Sequence, residues 1–149
     1  MVDSARMENV LANPIRVSIS STPAHLPIVR ALVERLTEQL GFEEEVAHKI
    51  TLAVDEALSN VIKHAYHGRE DQPIEIAFRL VRDPDGAEAL GIDLRDWGTP
   101  VARDEIRSRD LDDVRPGGLG VHIITSIMDD VKYIPSPGGG TRLRMTKAL

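Results

Sequence analysis

The chain has 149 residues, 42% hydrophobic and 28% charged, which is enough apolar material to fill one core and too much for general disorder. It contains no cysteine, so disulfides, thiolate metal sites and cysteine nucleophiles are excluded together. A formal net charge of -6 argues against a nucleic-acid footprint, and an aromatic content of 3% leaves the core to Leu, Ile, Val and Ala.

The first residues, Met1 to Asn13, lack the basic start and apolar run of a signal peptide. No stretch reaches the roughly 18 apolar residues that span a bilayer. The expected location is the cytoplasm, with no membrane attachment. Residues 1–14 are expected to form a flexible lead-in, and residues 15–149 a single domain. Arg16 to Ser20 alternates as a half-buried strand. Thr22-Pro23 then signals an N-cap and a proline at the first helical position. Leu26, Val29, Leu32, Val33, Leu36 and Leu40 recur at helical spacing, and Gly41 ends that helix. Glu43, Glu44 and Glu45 open a second helix on the favourable side of its dipole. Its apolar positions run from Val46 to Ala65, so it is expected to continue to about Tyr66 and stop near Gly68.

Pro73 to Arg82 alternates strongly, and Asp83-Pro84-Asp85-Gly86 turns it into a returning strand over Ala89 to Asp96. Thr99 to Gly118 is polar, with at most a short helix near Asp104; so long a stretch without strong structure is usually functional. Leu119 to Met128 is a third helix, and Val131 to Ile134 with Thr141 to Thr146 are two closing strands. Helices and hairpins are partly segregated. The expected class is α+β, a two-layer sandwich with a mixed, mostly antiparallel sheet covered on one face by three helices.

Three groups of residues carry candidate chemistry. Glu56, Asn60 and His64 are four residues apart and share one face of the second helix. An ordinary solvated face satisfies that spacing equally well. Asparagine is a poor helix former, however, and its oxygen suits Mg2+, while a nearby carboxylate can deprotonate a hydroxyl. Asp96-Trp97-Gly98-Thr99-Pro100 ends a strand. A carboxylate there can accept a hydrogen bond from an exocyclic amine, and glycine lets a planar ligand approach; a plain turn is the alternative. Gly117-Gly118-Leu119-Gly120 precedes a helix whose free N–H groups can hold phosphate, although a hinge would use the same glycines. Neither a Walker A loop nor a full dinucleotide fingerprint is present.

In order, these segments resemble the boxes of the GHKL (Bergerat-fold) ATPase superfamily. Glu56-x-x-x-Asn60 looks like the N box, Asp96-x-Gly98-x-Pro100 the G1 box, Gly118-x-Gly120 the G2 box, and Gly140-Thr141 the final element. Ala53 to Asn60 with His64-Ala65-Tyr66, and Gly118-Leu119-Gly120 with Met128-Asp129-Asp130-Val131, are similar to the anti-sigma factor serine/threonine kinases of bacterial partner-switching systems. The resemblance covers about Arg16 to Lys147. It implies ATP and Mg2+ as cofactors, with Asn60 on the metal and Glu56 as general base. It further implies Asp96, Gly98 and Thr141 at the adenine, and Gly118, Leu119 and Gly120 at the phosphates. The lid would span about 101–117. Arg115, placed by position and charge alone, would neutralise phosphate. His64 is expected to be structural.

The implied function is phosphorylation of a small STAS-domain anti-anti-sigma protein by a kinase that otherwise sequesters a sigma factor or other regulatory target, with homodimerisation expected. The alternatives are a nucleotide-gated binding module without catalysis and a detached histidine kinase ATP-binding domain. Trp97, between Asp96 and Gly98, is expected to report nucleotide by its fluorescence.

Overall fold

The computed structural model describes residues 10–100 and 118–149. The elements follow the expected order. Strand β1 is Ile15–Ser20 and helix α1 Leu26–Leu40; helix α2 is Glu44–Asn60, followed by a π-helical turn over Val61–Ala65. Strands β2 (Pro73–Arg82) and β3 (Glu88–Arg95) form the hairpin. Helix α3 is Gly118–Ile127, and strands β4 (Asp130–Pro135) and β5 (Thr141–Ala148) close the domain. The expected lid, Arg115 and the short helix near Asp104 lie outside the described residues.

The sheet has five strands in the order β1-β2-β3-β5-β4, and all four pairings are antiparallel. The expectation of a mixed sheet is met only in its antiparallel part. Alternation sends Ile74, Ile76 and Phe78 of β2, Leu90, Ile92 and Leu94 of β3, and Leu143 and Met145 of β5 into the core, all almost fully buried. The helix layer supplies Val33, Leu40, Ile50, Val54, Leu58 and Ile124 from the other side. Helix α2 packs between α1 and α3, so its two flanks are covered and one edge remains for other contacts.

Local chemistry explains where the elements start and stop. Pro23–His25 forms a single 3-10 turn that feeds α1. Thr22 does not cap it; its hydroxyl instead donates to the Glu70 carbonyl at 2.8 Å, tying the entry of α1 to the segment before β2. Gly41 ends α1 at φ 85°, in the left-handed region that costs glycine nothing. The β2–β3 turn is held by Asp83, whose Oδ1 accepts the N–H groups of Asp85 and Ala87. Two boundaries differ from expectation. Leu11, inside the expected lead-in, is 5% exposed and belongs to the core. Helix α2 keeps α geometry only to Asn60 and then widens, with the Tyr66 N–H donating to the Val61 carbonyl at 3.0 Å across five residues.

Ile92 lies at the centre of the middle strand and is 0% exposed. Ile92→Ala should lower the unfolding free energy by about 2–5 kcal/mol in urea titration. A loss well under 1 kcal/mol would place the core elsewhere.

Candidate functional site

Glu56 and Asn60 are half-buried on α2, one turn apart. Their side chains converge on the start of α3. A Cβ added at Gly120 would stand 3.0 Å from Glu56 Oε2 and 3.2 Å from both Asn60 Oδ1 and Nδ2. Gly120 therefore lets the first turn of α3 lie directly against the carboxylate and the amide, and the second and third sequence motifs meet at one point. Gly118 and Leu119 form the first residues of that helix. The positive end of the α3 dipole faces Glu56 and favours its negative charge. His64, expected to be structural, is exposed and has no hydrogen bond among the described residues.

Asp96 follows β3 and turns inward, only 4% exposed. Its Oδ1 accepts the Gly98 N–H at 2.9 Å, and its carboxylate also accepts the Thr141 N–H. The Asp96 N–H donates in return to the Thr141 carbonyl at 3.1 Å, so Asp96 and Thr141 are locked side by side at the ends of two strands. Burial pushes the Asp96 carboxyl above its ordinary range, and these N–H bonds oppose the shift. Thr141 is equally buried.

The loop bearing Asp96 is fixed by two close approaches. A Cβ on Gly98 would lie 2.3 Å from the Ala65 carbonyl oxygen, and that same oxygen accepts the Thr99 N–H at 2.9 Å. Gly140, at φ 78°, would place a Cβ 2.0 Å from the Asp96 carbonyl oxygen. Gly98 thus serves close packing of the chain on itself, in addition to the ligand approach expected of it. The π-helical turn carries Asn60 at one end and Ala65 at the other, and so connects the two halves of the site; such turns recur at functional sites.

Sequence reasoning gave Tyr66 no role. Its buried hydroxyl donates to the Pro73 carbonyl at 2.5 Å and accepts the Trp97 N–H at 2.8 Å, pinning the loop to the start of β2. Burial pushes the phenol pKa up, which keeps the O–H available as a donor. The available signal was a tyrosine at the end of an amphipathic helix, since a buried phenol needs a partner for its hydroxyl. His67, at φ 52°, adds a 3.0 Å contact from Nε2 to Thr99 Oγ1. The Trp97 ring, by contrast, sits on the open face of the sheet, 42% exposed, with the Arg95 guanidinium 4.9 Å from its centroid. It points away from Asp96, so the reason for expecting it to sense a base is removed.

Among the described residues no three His, Asp or Glu side chains cluster as a cation cage. A cation here would rest on the Asn60 oxygen and a ligand's own oxygens. An inward carboxylate, a helix N-terminus that opens with Gly118 and Gly120, and an amide beside a carboxylate together suit a nucleoside triphosphate better than an apolar ligand.

Residues 19–147 match the family model described as histidine kinase-like ATPase domain, and the chain belongs to that family. Among curated proteins it is similar to the serine-protein kinase RsbW of Listeria innocua, at 29% identity over 83% of this chain and 81% of that one. RsbW of Bacillus pumilus matches at 25% identity over 95% and 89%. Among solved structures, the RsbU and RsbW domains of a Mycobacterium tuberculosis protein share the fold at a TM-score of 0.63 and 17% identity, over 92% of this chain and 32% of that longer one. A chain of the SiaB–SiaC complex from Pseudomonas aeruginosa does so at a TM-score of 0.58 and 12% identity, over 87% and 88%.

Two stability measurements test this geometry. Tyr66→Phe orphans the Pro73 carbonyl and the Trp97 N–H and should cost about 1–3 kcal/mol. An unchanged midpoint would mean that water replaces the hydroxyl freely. For Asp96, a raised folded pKa means that the folded state holds its proton more tightly than the unfolded chain. Its contribution to stability is intact below the ordinary aspartate range and is lost as pH rises through the raised folded pKa. The stability of Asp96→Asn relative to the parent should therefore improve as pH rises through this window, and a flat difference would contradict the burial of a charge.

Proposed function

We propose that this chain is an ATP-dependent protein serine/threonine kinase of a partner-switching pair, with a small STAS-domain protein as acceptor. The observation that carries the reading is the convergence of Glu56 and Asn60 on Gly120 at the N-terminus of α3. Membership of an ATPase family and similarity to serine-protein kinases over most of the chain support it.

Phosphoryl transfer needs positioning and neutralisation of charge more than covalent help from the protein. In this reading Asp96 and Thr141 hold the adenine, with the Asp96 oxygen left free by Gly98 accepting the exocyclic amine. The N–H groups of Gly118, Leu119 and Gly120 hold phosphate oxygens at the helix end. Arg115 adds positive charge from the lid. Asn60 would supply an oxygen to Mg2+, which when bound would neutralise phosphate charge. Glu56 takes the proton of the acceptor hydroxyl as the phosphoryl group passes to that oxygen and ADP departs. Sequestration of a sigma factor or other regulatory target by the kinase, and its assembly as a homodimer, complete the reading.

Incubation with Mg-ATP and the cognate STAS protein should give phosphoserine or phosphothreonine on the acceptor. Glu56→Gln should lower the transfer rate at least about 10²-fold while ATP still binds, because only proton removal is lost. Asp96→Asn should weaken ATP binding about tenfold or more by turning an acceptor into a donor facing the amine, with little effect on inorganic triphosphate. ATP binding without transfer to any cognate acceptor would support the non-catalytic module instead. Phosphohistidine on a helical partner would support a detached histidine kinase domain.

A further inference from the structure

The face of the sheet opposite the helices is cationic, although the chain as a whole is anionic. Strand alternation and register arrange it in rows. One row runs Ser18, Glu75, Arg95, Arg142, Ile134, and the next Arg16, Ala77, Asp93, Arg144, Lys132. Directly opposed residues in these rows include two like-charged pairs, Arg95 with Arg142 and Arg144 with Lys132. Such pairs oppose strand pairing, and a sequence selected for stability alone would place opposite charges there. Three carboxylates relieve them only in part: Glu75 stands opposite Arg95, Asp93 is shared between Arg79 and Arg144, and Asp130 reaches Lys132 at 3.5 Å. Among the described residues neither Arg16 nor Arg142 has an anionic partner.

Apolar anchors lie beside this charge. Trp97 and Ile134 are 42% and 37% exposed, and both line a shallow hollow whose charged lining is three arginines, Arg95, Arg142 and Arg144, against one carboxylate, Glu75. Exposed tryptophan among arginines is the composition of an interface hot spot. The five strands make the face about 19 Å across, room for one extended or helical segment. A second copy of the chain docked face to face would set one cationic surface against another. The negative total charge likewise makes a polyphosphate backbone a poor general partner.

We propose that this open face docks a carboxylate-rich segment of a partner protein, with an apolar side chain of that segment seated against Trp97 and Ile134. The cost of the opposed cations is kept in the free protein and relieved in the complex. Because the face lies on the other side of the sheet from Glu56 and Asp96, the docked segment and a bound nucleotide do not compete. The proposal does not rest on kinase activity.

Trp97 is the only tryptophan and is itself the reporter. A tryptophan-free twelve-residue peptide of glutamate with two leucines should change its emission saturably. Its affinity should fall at least about tenfold between 50 mM and 0.5 M salt, as screening shortens the reach of the arginines. Arg142→Glu and Lys132→Glu should each weaken the peptide at least tenfold. Arg142→Glu also turns the pair with Arg95 into an opposed one without breaking an ion pair, so its thermal midpoint should hold or rise, which separates lost docking from lost folding; Lys132→Glu gives up the exposed pair with Asp130 and tests docking alone. Four results would overturn the proposal: an equal response to the lysine counterpart of the peptide, unchanged binding by both variants, tighter binding of a single-stranded RNA than of the peptide, or a change of assembly state by light scattering on charge reversal. The last would mean that a second copy covers this face.

Discussion

Between Gly98 and Ala65 there is no room for a side chain. The loop that leaves β3 lies against the last turn of the α2 segment, and the Ala65 carbonyl and the Tyr66 hydroxyl hold it through the Thr99 and Trp97 N–H groups. Gly140 presses on the same loop from the start of β5. These approaches determine where the Asp96 carboxylate sits relative to Glu56 and Asn60, because one continuous run of backbone carries both Asn60 and Ala65. A helix that kept α geometry through residue 65 would rotate that carbonyl away from the loop. The widened turn is therefore the joint on which the site is assembled.

Much of this was legible in the sequence, because its main elements have unambiguous periods. The alternation of β2 and the helical repeat of α1 were decisive, and the order of elements follows from them. The pairing of Glu56 with Asn60 came from helical spacing and proved to be a real convergence, but its other member, Gly120, is remote in sequence. Its proximity needed the packing of α3 against α2. The π-helical turn was not legible, since its residues fit an α-helical pattern equally well. Tyr66 was invisible as a clamp because both its partners are backbone groups, which leave no mark on side-chain pattern. Thr22 misled for a related reason: a threonine before a proline reads as a cap, yet its hydroxyl found a carbonyl across the fold.

Strand parity takes away the reason for the Trp97 expectation. Adjacent residues in extended chain face opposite sides, so a tryptophan next to an inward Asp96 points outward. The same parity gives β5 two unrelated tasks. Thr141, Leu143 and Met145 face the site and core, while Arg142 and Arg144 face solvent. A one-residue slip of β5 would bury two arginines and expose the core, so register is firmly specified despite the repulsion between cations on the outer face.

Charge also shapes the inner side. Glu56 and a phosphate would compete for the one positive helix end at Gly120, and two anions there repel in a partly desolvated space. The α3 dipole supplies only about half a unit of charge at its N-terminus, too little to satisfy both. The Asn60 amide is neutral and adds no cation. Among the described residues the rim at Gly120 carries no lysine or arginine paired to Glu56. Any reading in which a triphosphate binds beside Glu56 therefore requires a cation brought from outside this cluster. A divalent ion on the Asn60 oxygen meets that requirement at the position where the carboxylate, the amide and the helix end already meet. Under the proposed function, the metal is a condition for letting the base and the phosphates occupy the same corner of the fold.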